Sequence, residues 1–133
     1  MKAFLLVAFG GASGALLRWF VAGGVDWLVG KTGGAAIGPK FPWGILAANL
    51  LGCLVIGLLY GLAETRDWLT DATRWLLFVG FLGSFTTFST FGYESLALLR
   101  GEGVGYGLLN ILLQLTVGLG AIWLGGHLAP ALD

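Results

Sequence analysis

The stretch GFLGSFTTFSTFGYE, residues 80–94, decides the fold of this chain. It is an otherwise apolar segment of membrane length that is interrupted by glycines and hydroxyl side chains. A helix that touched only lipid would be built from Leu, Ile, Val and Ala, because a polar group without a partner costs free energy in hydrocarbon. Protein or water must therefore face the hydroxyls, which belong to Ser84, Thr86, Thr87, Ser89 and Thr90.

The composition places the whole chain in a membrane. Of the 133 residues, 57% are hydrophobic and 11% are charged, and the mean hydropathy is +0.89. Such values exclude an ordinary water-soluble domain. The formal net charge is zero, so the chain has no basic surface for nucleic acid. We expect a multi-pass protein of the cell (inner) membrane that has the lipid bilayer as a partner.

The apolar runs predict an all-α fold with four transmembrane helices in one domain, residues 1–133. Each crossing takes about 20 apolar residues, and the predicted spans are 3–22, 43–62, 75–99 and 106–128. Glycines and prolines predict a loop over 23–42. The third span is too long for one short straight crossing, and its glycines and hydroxyls predict a break near its middle, at 83–87. An unbroken helix whose hydroxyls bond back to carbonyls is the alternative.

The first span carries an arginine on the same face as a pair of small residues. Gly10, Gly14 and Arg18 recur every four residues, and the glycine pair allows close approach of another helix. A guanidinium inside a span costs roughly 2.5 to 3.5 kcal/mol on insertion scales. Arg18 therefore either extends to the headgroups or lines an aqueous vestibule, and the sequence leaves both possibilities open.

Amide side chains within the other spans also require partners. Asn49 lies in the second span and either bonds to another helix or faces a polar pathway. In the fourth span Tyr106, Asn110 and Gln114 are spaced by four residues, which puts them on one helix face. This spacing predicts a hydrogen-bonding track along that face.

Phenylalanines follow the hydroxyls of the third span at regular spacing. Phe85, Phe88 and Phe91 recur every three residues and share one broad helix face. Such a stripe is usually lipid contact or packing. An aromatic ring also has a positive edge, so an edge-on ring can contact an anion without supplying a full charge.

Positive charges give the chain no preferred orientation. One side of the membrane would carry Lys2, Arg66 and Arg74, and the other would carry Lys31, Lys40 and Arg100. Lys and Arg asymmetry sets orientation, so we expect insertion both ways. Two copies of opposite orientation can pair as an antiparallel homodimer with two-fold symmetry.

Several motifs resemble those of the Fluc/CrcB fluoride ion channels, over nearly the whole chain. They are GFLGSFTTFSTF at 80–91, GGASGALLRW at 10–19, AANLLG at 47–52 and Asn110 in the fourth span. The resemblance implies a dual-topology antiparallel homodimer that exports fluoride passively and lowers its toxicity. It also implies a structural sodium ion on the dimer axis, bound by the backbone carbonyls of Gly83 and Thr86.

The same resemblance implies roles for individual side chains. The residues expected along the fluoride pathway are Asn49, Thr87, Phe88, Ser89, Phe91, Tyr106, Asn110 and Gln114. Arg18 and Glu94 occupy motif positions with a supporting or vestibule role. The chain departs from the family pattern at Ile45, Ser84 and Gln114.

The sequence also bears on two other functions. A small proton-coupled multidrug exporter would also be a four-helix dual-topology dimer, but it needs a membrane-embedded carboxylate, for which Glu94 is the one candidate within a predicted span. An enzyme is not expected, because His127 is the single histidine and has no acid, base and nucleophile constellation beside it in the sequence.

Overall fold

A computed structural model describes residues 1–32, 41–65 and 68–132, and those ranges are all-helical. Helix α1 is Lys2–Lys31 and α2 is Trp43–Thr65. Helix α3 covers 71–85 in three consecutive pieces, Asp71–Thr73, Arg74–Leu82 and Gly83–Phe85. After the break, α4 is Phe88–Gly101. Helix α5 covers 104–128 as Val104–Leu112, Leu113–Val117 and Gly118–Leu128, and a 3-10 turn, Ala129–Leu132, follows.

Within the described ranges, four helical segments are long and apolar enough to cross a membrane, counting α3 and α4 together as one. This confirms the number of predicted spans and the all-helical class. Thr70 caps α3, because its Oγ1 accepts a hydrogen bond from the backbone N of Thr73 at 3.2 Å. Gly103 links α4 to α5 with a φ of 112°, a backbone conformation that glycine adopts readily and other residues rarely adopt.

The predicted loop over 23–42 is wrong in its first part, because α1 continues through residues 23–31. Gly23 and Gly24 do not end the helix, since isolated glycines are tolerated inside one. Asp26 then has a structural role: its Oδ1 accepts a hydrogen bond of 2.8 Å from the backbone N of Gly44. One of the N–H groups left unpaired at the start of α2 is thereby satisfied. Lys40 and Arg66, used in the charge comparison, lie outside the described residues.

Close helix contacts occur where the sequence places small residues. A Cβ on Gly10 or Gly14 would collide with the backbone of α3, at Leu76 and Phe81. On the other side, α2 packs against the last piece of α5, where a Cβ on Gly57 would collide with the carbonyl oxygen of Ile122. These glycines therefore set the separation between helix pairs, which confirms the packing role expected for Gly10 and Gly14.

Helix α5 contains an irregular segment that sequence periodicity did not reveal. Leu113–Val117 is π-helical, so its turns contain more residues than an α-helical turn. Residues spaced by four across this segment no longer keep one direction. The first piece of α5 packs against α4, whereas the last piece packs against α2.

Candidate functional site

The third span is interrupted at two adjacent threonines, which confirms the predicted break and narrows it. Thr86 has φ −90° and ψ 156°, and Thr87 has φ −150° and ψ 115°. Both are extended, so the helical ladder stops at Phe85 and starts again at Phe88. The Thr86 hydroxyl donates to the Leu82 carbonyl at 2.9 Å. Thr87 caps the new helix, its Oγ1 accepting from the backbone N of Thr90 at 3.2 Å.

The end of α3 carries Gly83 and Thr86, whose backbone carbonyls are the predicted sodium ligands. The last carbonyls of any helix have no partner further along the same helix, and α3 ends at Phe85. Gly83 belongs to this last turn and Thr86 follows it. Gly83 is exposed, and a Cβ there would have only the Phe78 carbonyl nearby, at 3.5 Å. Oxygen ligands of this kind suit a hard cation.

Asn49 of α2 holds the break in place. Its Oδ1 accepts from the backbone N of Thr87 at 2.8 Å, and its Nδ2 donates to the Thr87 carbonyl at 3.2 Å. The side-chain amide thus pairs with the extended residue as a neighbouring strand would. Gly52, one turn further along α2, lies so near Thr86 that a Cβ would collide with its side chain. Asn49 is therefore an interhelical contact, which is one of its two predicted roles.

The pairing of Asn49 determines the orientation of Gln114. Because Asn49 must present its oxygen to the Thr87 N–H, its Nδ2 carries the remaining hydrogen that points to Gln114. The Gln114 atom at 3.1 Å is accordingly Oε1, the acceptor. The Nε2 group of Gln114 is then turned away, and it is buried with no hydrogen-bond partner in the described part of the chain. A neutral amide with two unused donors is suited to an anion.

A cavity of about 360 Å³ lies beside the break, among α2, α3, α4 and α5. Seven of the predicted site residues line it. They are Asn49, Gly83, Thr86, Thr87, Phe88, Phe91 and Gln114. Its other walls are mostly apolar, with Cys53, Ile56, Leu115 and Ile122 among them. The cavity therefore combines a few fixed polar groups with low-polarity walls, as small-ligand sites do.

The two phenylalanines of the cavity differ in exposure. Phe91 is 8% exposed, whereas Phe88 is 80% exposed in the single chain. Their ring centroids are 5.4 Å apart with an interplanar angle of 64°, an edge-to-face arrangement. The ring edges carry partial positive charge. The Phe91 ring is therefore packed inside the chain, whereas the Phe88 ring is exposed and accessible to another molecule.

The three residues of the predicted hydrogen-bonding track in the fourth span do not share one environment. Gln114 reaches the cavity, whereas Asn110 is fully buried and donates from Nδ2 to Ser95 Oγ at 2.8 Å. Tyr106 is 38% exposed, and neither it nor Asn110 lines the cavity. Asn110 lies in the α-helical piece Val104–Leu112, whereas Gln114 belongs to the π-helical segment Leu113–Val117.

Ser95 is a polar residue of this region that sequence reasoning missed. It is 5% exposed, and its Oγ donates to the Phe91 carbonyl at 2.7 Å. A signal was present, since Ser95 follows Phe91 by four residues and therefore shares its helix face. A single serine in a span is too common to attract notice without its partner Asn110.

Three other predicted site residues do not line the cavity. Ser89 is exposed, and its Oγ is 3.3 Å from the Thr87 Oγ1. Arg18 and Glu94 are half-buried. One Glu94 oxygen, Oε2, is buried without a hydrogen-bond partner in the ranges the structure describes. The same ranges contain no group of three or more His, Cys, Asp or Glu residues that could hold a metal ion.

These features define a class: a multi-pass helical membrane protein whose interrupted span lines a cavity with a few polar groups on mostly apolar walls. The sequence profile described as CrcB-like protein, Camphor Resistance (CrcB), matches residues 5–126. The chain belongs to this CrcB family.

Relatives match along almost the entire chain. A protein of Thermus thermophilus is 44% identical over 132 residues, covering 99% of this chain and 98% of its own length. A protein of Methylobacillus flagellatus is 40% identical over 133 residues, covering 96% and 94%. A third, from Pseudoalteromonas translucida, is 42% identical over 120 residues, covering 90% and 93%. Each is named fluoride-specific ion channel FluC.

Proposed function

We propose that this protein is a channel that lets fluoride leave the cytoplasm passively and so lowers its toxicity. The observation that carries the proposal is the near full-length match to relatives named fluoride-specific ion channels. The cavity beside the α3 break gives it a physical basis, because residues of the predicted pathway, among them Asn49, Phe91 and Gln114, line one space of about 360 Å³. A channel of this kind is not an enzyme and requires no covalent step.

Conduction requires that the protein replace water around a strongly hydrated anion. In the proposed mechanism the Gln114 Nε2 group supplies donors. The hydroxyls of Thr87 and Ser89 supply others once they turn to the ion, because in the free chain Thr87 donates to Thr90 and Ser89 bonds to Thr87. The edges of Phe88 and Phe91 complete the contact with weaker partial charges. Several contacts of comparable strength are needed, because one very favourable site would trap the ion. The family resemblance also assigns Tyr106 and Asn110 to the pathway; because neither lines this cavity, they would act beyond it, along α5.

The working unit in this proposal is an antiparallel dimer. Phe88 is 80% exposed in one chain, so a ring proposed to line the pathway needs a second surface to cover it. Many other large apolar side chains are exposed, among them Trp75 and Val79 of α3. A second copy inserted in the opposite orientation would cover part of this surface and place two breaks next to each other.

A structural sodium ion would then join the two breaks. Each chain offers the carbonyls of Gly83 and Thr86, and a two-fold axis would bring both sets together. Backbone oxygens are suitable ligands because a hard cation prefers oxygen. The bound ion would neutralise the carbonyl dipoles of two helix ends and hold the break residues in place. Arg18 and Glu94 are proposed to support this arrangement or the vestibule.

Fluoride efflux from liposomes tests the function directly. Purified protein is reconstituted in vesicles loaded with potassium fluoride, and valinomycin is added while a fluoride electrode records the outside solution. We expect rapid fluoride release and far slower chloride release from vesicles loaded with potassium chloride. Equal rates for the two anions, or no fluoride release, would end the proposal.

A proton-coupled multidrug exporter is the competing function, because it too would be a small four-helix dual-topology dimer. Glu94 would have to exchange protons with substrate, yet it is not among the residues lining the cavity. A Glu94→Gln protein separates the two functions. If it still moves fluoride and the parent protein moves no organic cation, the exporter is rejected. Loss of organic-cation transport in the variant would favour the exporter.

Cysteine labelling in intact cells tests the orientation of the protein in the membrane. Cys53 is the single cysteine, so a Cys53→Ser protein can receive one new cysteine at Thr32, an exposed residue that follows α1. A membrane-impermeant thiol reagent added outside intact cells should label about half of the molecules if both orientations occur equally. Labelling of all or none would mean one orientation only.

A further inference from the structure

We propose that Ser95 is a positioning residue, which with Asn110 fixes the rotation of α4 and so aims the Phe91 ring at the cavity. The inference deepens the proposed fluoride pathway and rests on it. Its basis is a chain of two short hydrogen bonds, from Asn110 Nδ2 to Ser95 Oγ at 2.8 Å and from the Ser95 hydroxyl to the Phe91 carbonyl at 2.7 Å.

The direction of these bonds follows from donor counting. A serine has one hydroxyl hydrogen, and a backbone carbonyl can only accept. Ser95 therefore donates to the Phe91 carbonyl and must accept from Asn110. Asn110 is fully buried, and its Oδ1 is left without a hydrogen-bond partner in the described chain. The amide is thus held from its nitrogen side alone, and Ser95 is the group that holds it.

Helix α4 is connected to its neighbours by polar contacts at two levels. Asn49 binds Thr87 at the start of the helix, and Asn110 binds Ser95 eight residues later. At 1.5 Å per residue the two contacts are about 12 Å apart along the axis. Phe88 and Phe91 lie between them. Two such contacts from two different helices fix both the position and the rotation of the segment that carries the rings.

Apolar packing alone would fix the rotation less well. The buried residues of α4 are Phe91, Ser95 and Leu98, a narrow stripe, while Leu96 and Tyr93 on its other sides are exposed. In a bilayer, lipid chains are as apolar as the side chains, so no hydrophobic driving force selects one apolar face over another. The buried hydrogen bond from Asn110 to Ser95 does favour one face of α4. Its loss should let α4 turn and move the Phe91 ring edge away from the pathway.

The test measures fluoride and chloride flux in liposomes for five variants, the fifth of which is Ser95→Thr. Ser95→Ala removes the hydroxyl and Asn110→Leu removes the amide; the third variant combines both changes. Ser13→Ala is the matched control, because Ser13 also bonds to the carbonyl four residues earlier, Phe9 at 2.9 Å, but on α1. We expect each single variant to lower fluoride flux and the fluoride-to-chloride ratio roughly tenfold, the effect of a barrier change of about 1.4 kcal/mol.

The double variant identifies how Ser95 acts. Residues that act through one shared bond give non-additive effects, so the double variant should match the stronger single variant rather than reach a hundredfold loss. Ser95→Thr, which keeps a hydroxyl, should restore flux and selectivity. Flux is counted per reconstituted dimer, so that lower folding yield does not imitate the effect.

Each result decides the inference. Unchanged selectivity in Ser95→Ala, or additive losses in the double variant, would overturn the positioning role and leave the proposed function standing. Failure of Ser95→Thr to restore selectivity, when the variant is folded at parent yield, would overturn it as well. Parent protein that releases no fluoride would instead refute the proposed function itself.

Discussion

Replacement of Asn49 by leucine is the most informative perturbation of the break. Leucine has nearly the same shape but neither donates nor accepts, so three hydrogen bonds disappear together. Asn49 makes these bonds to the Thr87 N–H, the Thr87 carbonyl and Gln114 Oε1, at 2.8, 3.2 and 3.1 Å. The Thr87 N–H then loses the acceptor that replaces a helical carbonyl at the break.

The expected cost follows from these three bonds. Interhelical hydrogen bonds in a bilayer average about 0.6 kcal/mol each, whereas intramolecular hydrogen bonds elsewhere contribute about 0.5 to 1.5 kcal/mol. Asn49→Leu should therefore lower the free energy of unfolding by about 2 to 4 kcal/mol. The lower figure applies if the break relaxes and its backbone groups find other partners.

Equilibrium unfolding in mixed detergent and dodecyl sulfate micelles, followed by tryptophan fluorescence, measures this change. Thr116→Val is the matched control, because Thr116 is exposed and its hydroxyl bonds within its own helix, to the Leu112 carbonyl at 2.7 Å. The control should change the free energy by less than about 0.5 kcal/mol. If Asn49→Leu also stays below that value, Asn49 does not hold the break and the reasoning fails.

Two further predictions concern helix contacts, measured by the same unfolding method. Gly14→Ala should lower the free energy of unfolding by about 1 to 3 kcal/mol, because the new Cβ meets the Phe81 carbonyl. Gly23→Ala, with open space around the new Cβ, should raise the free energy of unfolding by about 0.5 to 1 kcal/mol. Equal effects of the two substitutions would contradict the close contact at Gly14. Asp26→Ala should cost about 1 kcal/mol, since it removes the cap on the Gly44 N–H. Asp71→Ala should lower the free energy of unfolding by less than Asp26→Ala, because Thr70 already caps α3. A larger loss for Asp71→Ala would be evidence against the cap that Asp26 supplies.

The sequence was sufficient to predict the features that depend on local chemistry. Four apolar runs predicted four spans, and the break predicted over 83–87, which the structure places at Thr86 and Thr87, followed from residues adjacent in the chain. Glycine pairs predicted the close helix contacts because a missing Cβ has the same consequence wherever it occurs. In each case the determining residues lie within a few positions of the feature.

Features that depend on distant parts of the chain could not be predicted in this way. The length of α1 was underestimated because Gly23 and Gly24 suggested a loop, and the bond from Asp26 to Gly44 could not be seen before the helices were placed. Likewise the spacing of Asn110 and Gln114 suggested one continuous face. In the structure Asn110 contacts Ser95 of α4, whereas Gln114, in the π-helical segment, contacts Asn49 of α2.

The reversal potential in a planar bilayer tests the central claim, passive fluoride conduction, most directly. Unequal fluoride concentrations are placed on the two sides, with an opposing chloride gradient and a pH difference. The account predicts that the current reverses at the fluoride equilibrium potential and does not shift when the pH difference is removed. Reversal at the chloride potential, or a shift that follows the proton gradient, would contradict it.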